Sequence, residues 1–169
     1  MKLFGALMVL TGCLSLSFGM CRRRWQRMQL LRDLAQALLY MEGELEGSLA
    51  PLPQLMYRLS ADICRDSRQF FSRVADRLAS PGDEAFSVLW AEAAEQTLKE
   101  LSPRERETVQ ALGESLGRYP LPMQLTAIAR CRDFLLESEK AARQRYLDER
   151  RLIWGVPAAA ALLLWIILI

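Results

Sequence analysis

From Trp25 to Leu49 apolar residues recur every three or four positions, at Met28, Leu31, Leu34, Leu38, Met41, Leu45 and Leu49. That spacing lines them up as one stripe along a helix of roughly seven turns, too long and regular for a strand. Pro51 and Pro53 are expected to end it, because the residue before a proline avoids the α region. Leu55, Leu59 and Ile63 predict a short second helix. Phe70, Phe71, Val74 and Leu78 predict a third, broken by Ser80-Pro81-Gly82-Asp83. A fourth, from about Asp83 to Glu100, shows Phe86, Leu89, Trp90, Ala93 and Leu98 on one face. Ser102-Pro103-Arg104-Glu105 reads as a helix start: Ser102 can accept from an orphan N–H, Pro103 suits the first turn, and Glu105 can close a capping box. The fifth helix then buries Val109, Leu112 and Leu116, with Gly117 as a left-handed stop. A sixth runs from about Pro122 to Arg151 through Ala127, Ile128, Cys131, Leu135 and Ala142. No stretch alternates with period two for long enough to make a sheet. The fold class is therefore all-α, a six-helix antiparallel bundle over residues 22–151.

Both ends depart from this pattern. Leu3 to Cys21 carries no charge, and neither does Leu152 to Ile169, which follows Arg150 and Arg151. At ~1.5 Å per residue the second run covers about 27 Å as a helix, close to the ~30 Å hydrocarbon core of a bilayer. Pro157 falls early in it, where a missing N–H costs least if a helix begins there and otherwise suggests a kink. The sixth helix is expected to feed straight into this tail. Three readings fit the first run: a cleaved signal peptide, a lipoprotein signal on Leu10-Thr11-Gly12-Cys13, or a retained transmembrane helix. The run continues past Cys13 and meets Arg22, Arg23, Arg24 and Arg27, which resist translocation and favour the retained helix. Lys140, Arg143, Arg145, Arg150 and Arg151 precede the second run. Both basic clusters set the same orientation. The expected organisation is a transmembrane helix over 1–21, a cytoplasmic bundle over 22–151, and a second transmembrane helix over 152–169, with both termini outside.

The net charge of +2 conceals an asymmetry. Residues 1–32 hold six Lys/Arg and no acid, whereas residues 33–129 hold nine basic and fifteen acidic groups. An acidic middle disfavours nucleic acid, which wants a basic face on the folded domain. Basic ends fit the anionic headgroups of membrane lipids. The chain has no histidine, so the commonest general base is missing and no zinc set can be completed around Cys13, Cys21, Cys64 and Cys131. The cysteines read as reduced, small apolar residues. No Gly-rich phosphate loop, HExxH or GxSxG occurs. Glu42 and Glu46 share a helix face, as do Asp62 and Asp66, and such a pair could bind a cation, but a solvated or arginine-paired patch is the simpler reading. No enzyme activity, catalytic residue, metal or cofactor is expected.

Several stretches resemble the stage III sporulation protein AB family of endospore-forming bacteria. Lys2-Leu3-x-Gly5-Ala6, and Gly19 ahead of the arginines, resemble its membrane anchor. Ala37-Leu38-x-x-Met41-Glu42-x-Glu44-Leu45 with Pro51-Leu52 is similar to a characteristic stretch of that family. Phe70-Phe71, Trp90, Leu101-Ser102, Glu105, Glu107, Leu112-Gly113, Leu116-Gly117 and Gln124 occur in the matching order. Pro120 stands where the family has an acid, and Gly47 where it has a tyrosine. The resemblance implies a six-helix cytoplasmic domain similar to the F-type inner-membrane platform proteins of type II secretion. It also implies a scaffold in the complex joining mother cell and forespore, on the mother-cell side in the outer forespore membrane. Such a scaffold would couple a cytoplasmic ATPase of the same operon to other membrane subunits.

The leading expectation is thus a membrane-tethered interaction protein that presents helix faces to partners. Glu42, Glu44 and Gln124 are the candidate partner contacts, with structural pairing to an arginine as the simpler role for the acids. Arg22, Arg23, Arg24, Arg27, Arg150 and Arg151 are the orientation-setting residues. A membrane transport element is the alternative, although neither apolar run holds the ionisable residue such paths use. A generic membrane adaptor and a homo-oligomer also remain open.

Overall fold

Six helices make up the regular structure of the described residues, and no strand occurs among them. The computed structural model describes residues 2–47, 51–80, 84–116 and 118–168, with side chains at 22–47, 51–61, 64–80, 84–116 and 118–147. The helices are α1 (Lys2–Gly47), α2 (Leu52–Arg58), α3 (Arg68–Ala79), α4 (Phe86–Thr97), α5 (Pro103–Ser115) and α6 (Leu121–Leu168). α2 runs into a π-helical turn, Leu59–Ile63. The chain divides into two compact units, one of residues 26–139 and one formed by 1–25 with 140–169.

The sixth helix runs on through the tail as the pattern implied, and α1 likewise joins the first apolar run to the stripe that follows it. α1 is described as far as Gly47, and residues 48–50, where the expected stop falls, lie outside the described residues; Pro51 is the N-cap of α2 and Pro53 lies in its first turn. The first turn of a helix has N–H groups without internal partners, so a proline there loses nothing. The prolines start the second helix. Leu49, the side chain of Ile63, the Pro81-Gly82-Asp83 break and the Gly117 stop lie outside the described residues. Among the described residues no helix is long and apolar enough to cross a membrane. The two apolar runs on which that expectation rests lie outside the described side chains.

The core of the 26–139 unit follows the stripes. Leu31, Leu34, Leu38, Met41 and Leu45 of α1 are buried, and so are Val109, Leu112 and Leu116 at the matching spacing in and after α5. Ile128, Cys131 and Leu135 of α6 complete the same interior. Phe70 and Phe71 of α3 and Trp90 of α4 are fully buried. The Phe70 and Trp90 rings meet edge to face, with centroids 4.6 Å apart. Trp90 also settles its polar atom: the indole N–H donates to the Val109 carbonyl at 2.6 Å. α4 and α5 form an antiparallel hairpin, since Glu95 meets Arg106, Ala91 meets Gln110, and Trp90 meets Gly113.

Gly113 is where this hairpin is tightest. A Cβ built there would lie 2.4 Å from Cδ1 of Trp90 and 2.9 Å from its Cβ. The ring is rigid, fully buried and held by its hydrogen bond, so it cannot swing aside. A methyl here forces the helices apart, at about 1–3 kcal/mol. The helix-propensity gain from replacing glycine is only about 0.5–1 kcal/mol. Gly113→Ala is therefore expected to lower the denaturant midpoint of the domain, whereas Gly43→Ala, with no atom within 4 Å of its Cβ, should raise it slightly. The pair of urea titrations checks both signs.

Candidate functional site

α1 is held in the domain by charge as well as by its stripe, with charged contacts along the stripe and on both of its flanks. Arg27 occupies a stripe position itself, one turn before Leu31 at the same four-then-three spacing. Glu105 does the same in α5, one turn before Val109. Each stripe thus opens on a charge, and the two charges meet. The Arg27 guanidinium grips the Glu105 carboxylate with two bonds, Nη2 to Oε1 at 2.6 Å and Nε to Oε2 at 3.1 Å. The same carboxylate accepts the backbone N–H of Ser102 at 2.8 Å, while Ser102 Oγ accepts from the Glu105 N–H. The capping box is therefore present, and it doubles as one half of a long-range ion pair.

Glu105 is only 2% exposed. Burial alone would push its carboxyl up, but Arg27 and the Ser102 bonds outweigh that and hold it below the usual carboxylate range. Asp33, which the pattern did not single out, works in a similar way at a distance. Its carboxylate accepts the backbone N–H of Ser67 at 2.7 Å, the Ser67 hydroxyl at 2.6 Å and the Arg65 N–H at 3.2 Å. Ser67 is the N-cap residue of α3. An acid on α1 thus caps a helix more than thirty residues along the chain, where the dipole favours negative charge.

The candidate contacts are engaged inside the domain. Glu42 accepts from Arg132 of α6 in a short, half-buried ion pair. The arginine-paired reading holds for it. Glu44 pairs with Arg58 of α2 at 3.4 Å. Gln124 donates to the Tyr119 carbonyl at 2.6 Å, tying the first turn of α6 to the connector before it. The structure does not gather the three into one patch by any bond between them. Of the orientation-setting arginines, Arg22 and Arg23 are exposed, Arg24 is half-buried, and Arg27 has the buried partner just described. Arg150 and Arg151 lie outside the described side chains.

The chemistry available is sparse. Among the described residues no three His, Cys, Asp or Glu side chains could hold a metal. Cys64 and Cys131 are buried free thiols. Burial pushes them up to about 11 and about 12, with Ser67 lowering and Asp33 raising the first, so both are protonated at neutral pH. Cys13 and Cys21 lie outside the described side chains. Pro53, Gln54, Tyr57 and Arg58 line a shallow, open depression on α2 that brings no acid and base together.

The ion pairs generate two predictions. Because the Glu105 carboxyl lies lower in the folded than in the unfolded chain, its contribution is present above the ordinary carboxylate value of ~4.3 and lost as pH falls through the folded value. Glu105→Gln should cost about 2–3 kcal/mol at pH 7, the low end for a broken buried pair because Arg27 can rehydrate. It should also flatten the acid limb of a stability-versus-pH curve measured by urea unfolding. Glu42→Lys sets two cations side by side, and should cost about 1–2 kcal/mol. The double exchange Glu42→Lys/Arg132→Glu should recover most of that loss in the same assay.

Three comparisons bear on identity. The sequence model of the Stage III sporulation protein AB family matches residues 2–169. Stage III sporulation protein AB of Bacillus subtilis (strain 168) is 25% identical over 170 residues, covering 99% of each chain. A solved structure of a Stage III sporulation protein AB superposes with a TM-score of 0.64 at 25% identity, over 72% of this chain and 97% of that one. The family model spans nearly the whole chain, and the chain belongs to the stage III sporulation protein AB family.

Proposed function

We propose that this chain is a membrane-anchored scaffold of the stage III sporulation complex, holding a cytoplasmic ATPase to the other membrane subunits. The observation that carries the reading is that the family match runs from residue 2 to 169, taking in both apolar runs together with the bundle. Those runs flank a domain in which Arg27–Glu105, Arg58–Glu44 and Arg132–Glu42 pairs hold helices together. Arginines stand on the inner side of each run, so both runs enter the membrane from the cytoplasm and leave the domain there. A protein built this way acts through its surfaces; the absence of histidine removes the usual proton carrier. It is similar in plan to the F-type platform proteins of type II secretion.

The full-length chain, expressed in a spore-forming host, should remain in the pellet after carbonate extraction. Reporters fused at residue 1 and residue 169 should both read as external. Photo-crosslinkers on exposed faces of the domain should trap the ATPase during sporulation. Release by carbonate, or an internal reporter at either end, would overturn the anchored reading. Crosslinks confined to lipid and to unrelated soluble proteins would overturn the scaffold.

A further inference from the structure

The unit formed by 1–25 with 140–169 carries charge of one sign. Its described side chains, at 22–25 and 140–147, include Arg22, Arg23, Arg24, Lys140, Arg143 and Arg145 and no acid; Asp148 and Glu149 lie outside them. All of these cations but Arg24 are exposed. Arg22, Arg23, Arg143 and Arg145 pair with no described residue, so each is open to an anion from outside the chain. Trp25 and Leu147 stand among them at 52% and 51% exposure, which adds an amphipathic ring and an aliphatic side chain to the cationic surface. Cations beside exposed apolar groups fit an anion that is itself joined to apolar material.

Position along the two helices divides the cations into two groups, a step that rests on the membrane reading proposed above. The first apolar run ends at Cys21 and the second begins at Leu152, and α1 and α6 are helical through both boundaries. At ~1.5 Å per residue Arg22, Arg23 and Trp25 stand about 1.5, 3 and 6 Å beyond the first run. The headgroup layer is about 5–8 Å deep on each side of the hydrocarbon, so all three fall within it. That is also the level at which tryptophan collects. Arg145, Arg143 and Lys140 stand about 10, 14 and 18 Å from the second run. The first two lie past the headgroups but within their field, which falls off over ~8–10 Å. We infer that this unit recruits anionic phospholipid, with Arg22 and Arg23 on the headgroup phosphate and Arg143 and Arg145 acting through the ionic layer. Phosphatidylcholine has the same phosphate but balances it with its own cation, so net charge is what the arginines select. A free phosphate would gain nothing from Trp25 or from an apolar run that ends one residue before Arg22.

The test uses the full-length chain in phosphatidylcholine vesicles that carry spin-labelled phosphatidylglycerol or, in parallel, spin-labelled phosphatidylcholine. At low salt the share of label immobilised at the protein surface should be about two- to fivefold higher for phosphatidylglycerol. Part of that preference should survive in ~1 M salt, where the field of an exposed charge reaches only ~3 Å. Arg22→Gln/Arg23→Gln should remove the surviving part, while Arg22→Lys/Arg23→Lys keeps it. Arg143→Gln/Arg145→Gln should lower the preference at low salt and leave it unchanged at high salt. Equal immobilisation of the two lipids, or a preference that ignores Arg22→Gln/Arg23→Gln, would overturn the inference and leave an embedded chain anchored as before. A preference abolished by millimolar inorganic phosphate at constant ionic strength would assign the arginines to free phosphate and overturn the lipid. A chain that washed off membranes in carbonate, yet floated at neutral pH with phosphatidylglycerol vesicles and not with phosphatidylcholine ones, would remove the anchored reading and leave the headgroup contact standing.

Discussion

One carboxylate connects the local rules of this chain to its tertiary structure. Glu105 is placed by four residues of sequence, Ser102 to Glu105, which by themselves start a helix. The same group is then buried, and a buried carboxylate without a partner would cost several kcal/mol. Arg27, far away in the chain, removes that cost with a two-pronged grip. The pair therefore constrains rotation as well as proximity. α1 must turn its Arg27 side toward the start of α5, and with that angle set the helix repeat delivers Glu42 to Arg132 on one flank and Asp33 to the Ser67 turn on the other. Apolar stripes alone would tolerate some rolling of α1. Charged contacts along the stripe and on both of its flanks tolerate much less.

The aromatic centre works by a different rule, that of shape. Trp90 fills space against Phe70 and Phe71, donates its N–H to Val109, and is seated only because Gly113 lacks a side chain. Here a glycine within a helix accepts its usual entropic penalty in exchange for close approach of two helices. Gly43 accepts the same penalty on α1 with nothing among the described residues approaching it. The contrast between the two positions is what separates a packing glycine from one that faces outward.

Much of this was legible beforehand, and the misses have physical reasons. The stripes gave the helices and the core because burial follows period 3.6, and Ser102-Pro103-Arg104-Glu105 gave a boundary to the residue because capping is local. A proline forbids helix before it and suits the first turn after it, and Pro51 and Pro53 show the second role at the start of α2. Asp33 escaped notice because capping a distant helix leaves no mark at its own position. Arg27 did leave one. Its neighbours Arg22 to Arg24 suggest membrane orientation, yet it stands one turn before Leu31, in line with Leu31, Leu34 and Leu38. A charge at a stripe position implies an opposite charge at another stripe position, and Glu105 is the one that α5 supplies.

The same reasoning bears on how a helical domain without reactive groups acquires specificity. Glu42 and Glu44 stand in a stretch that resembles the family, and the fold engages both: one holds α6 to α1, the other α2 to α1. Both acids thus have a structural use within the domain, and a partner would read the surface that this arrangement leaves over. A charged contact that fixes the rotation of α1 also fixes where its exposed residues stand, so a helical domain can present a defined surface without a reactive group on it.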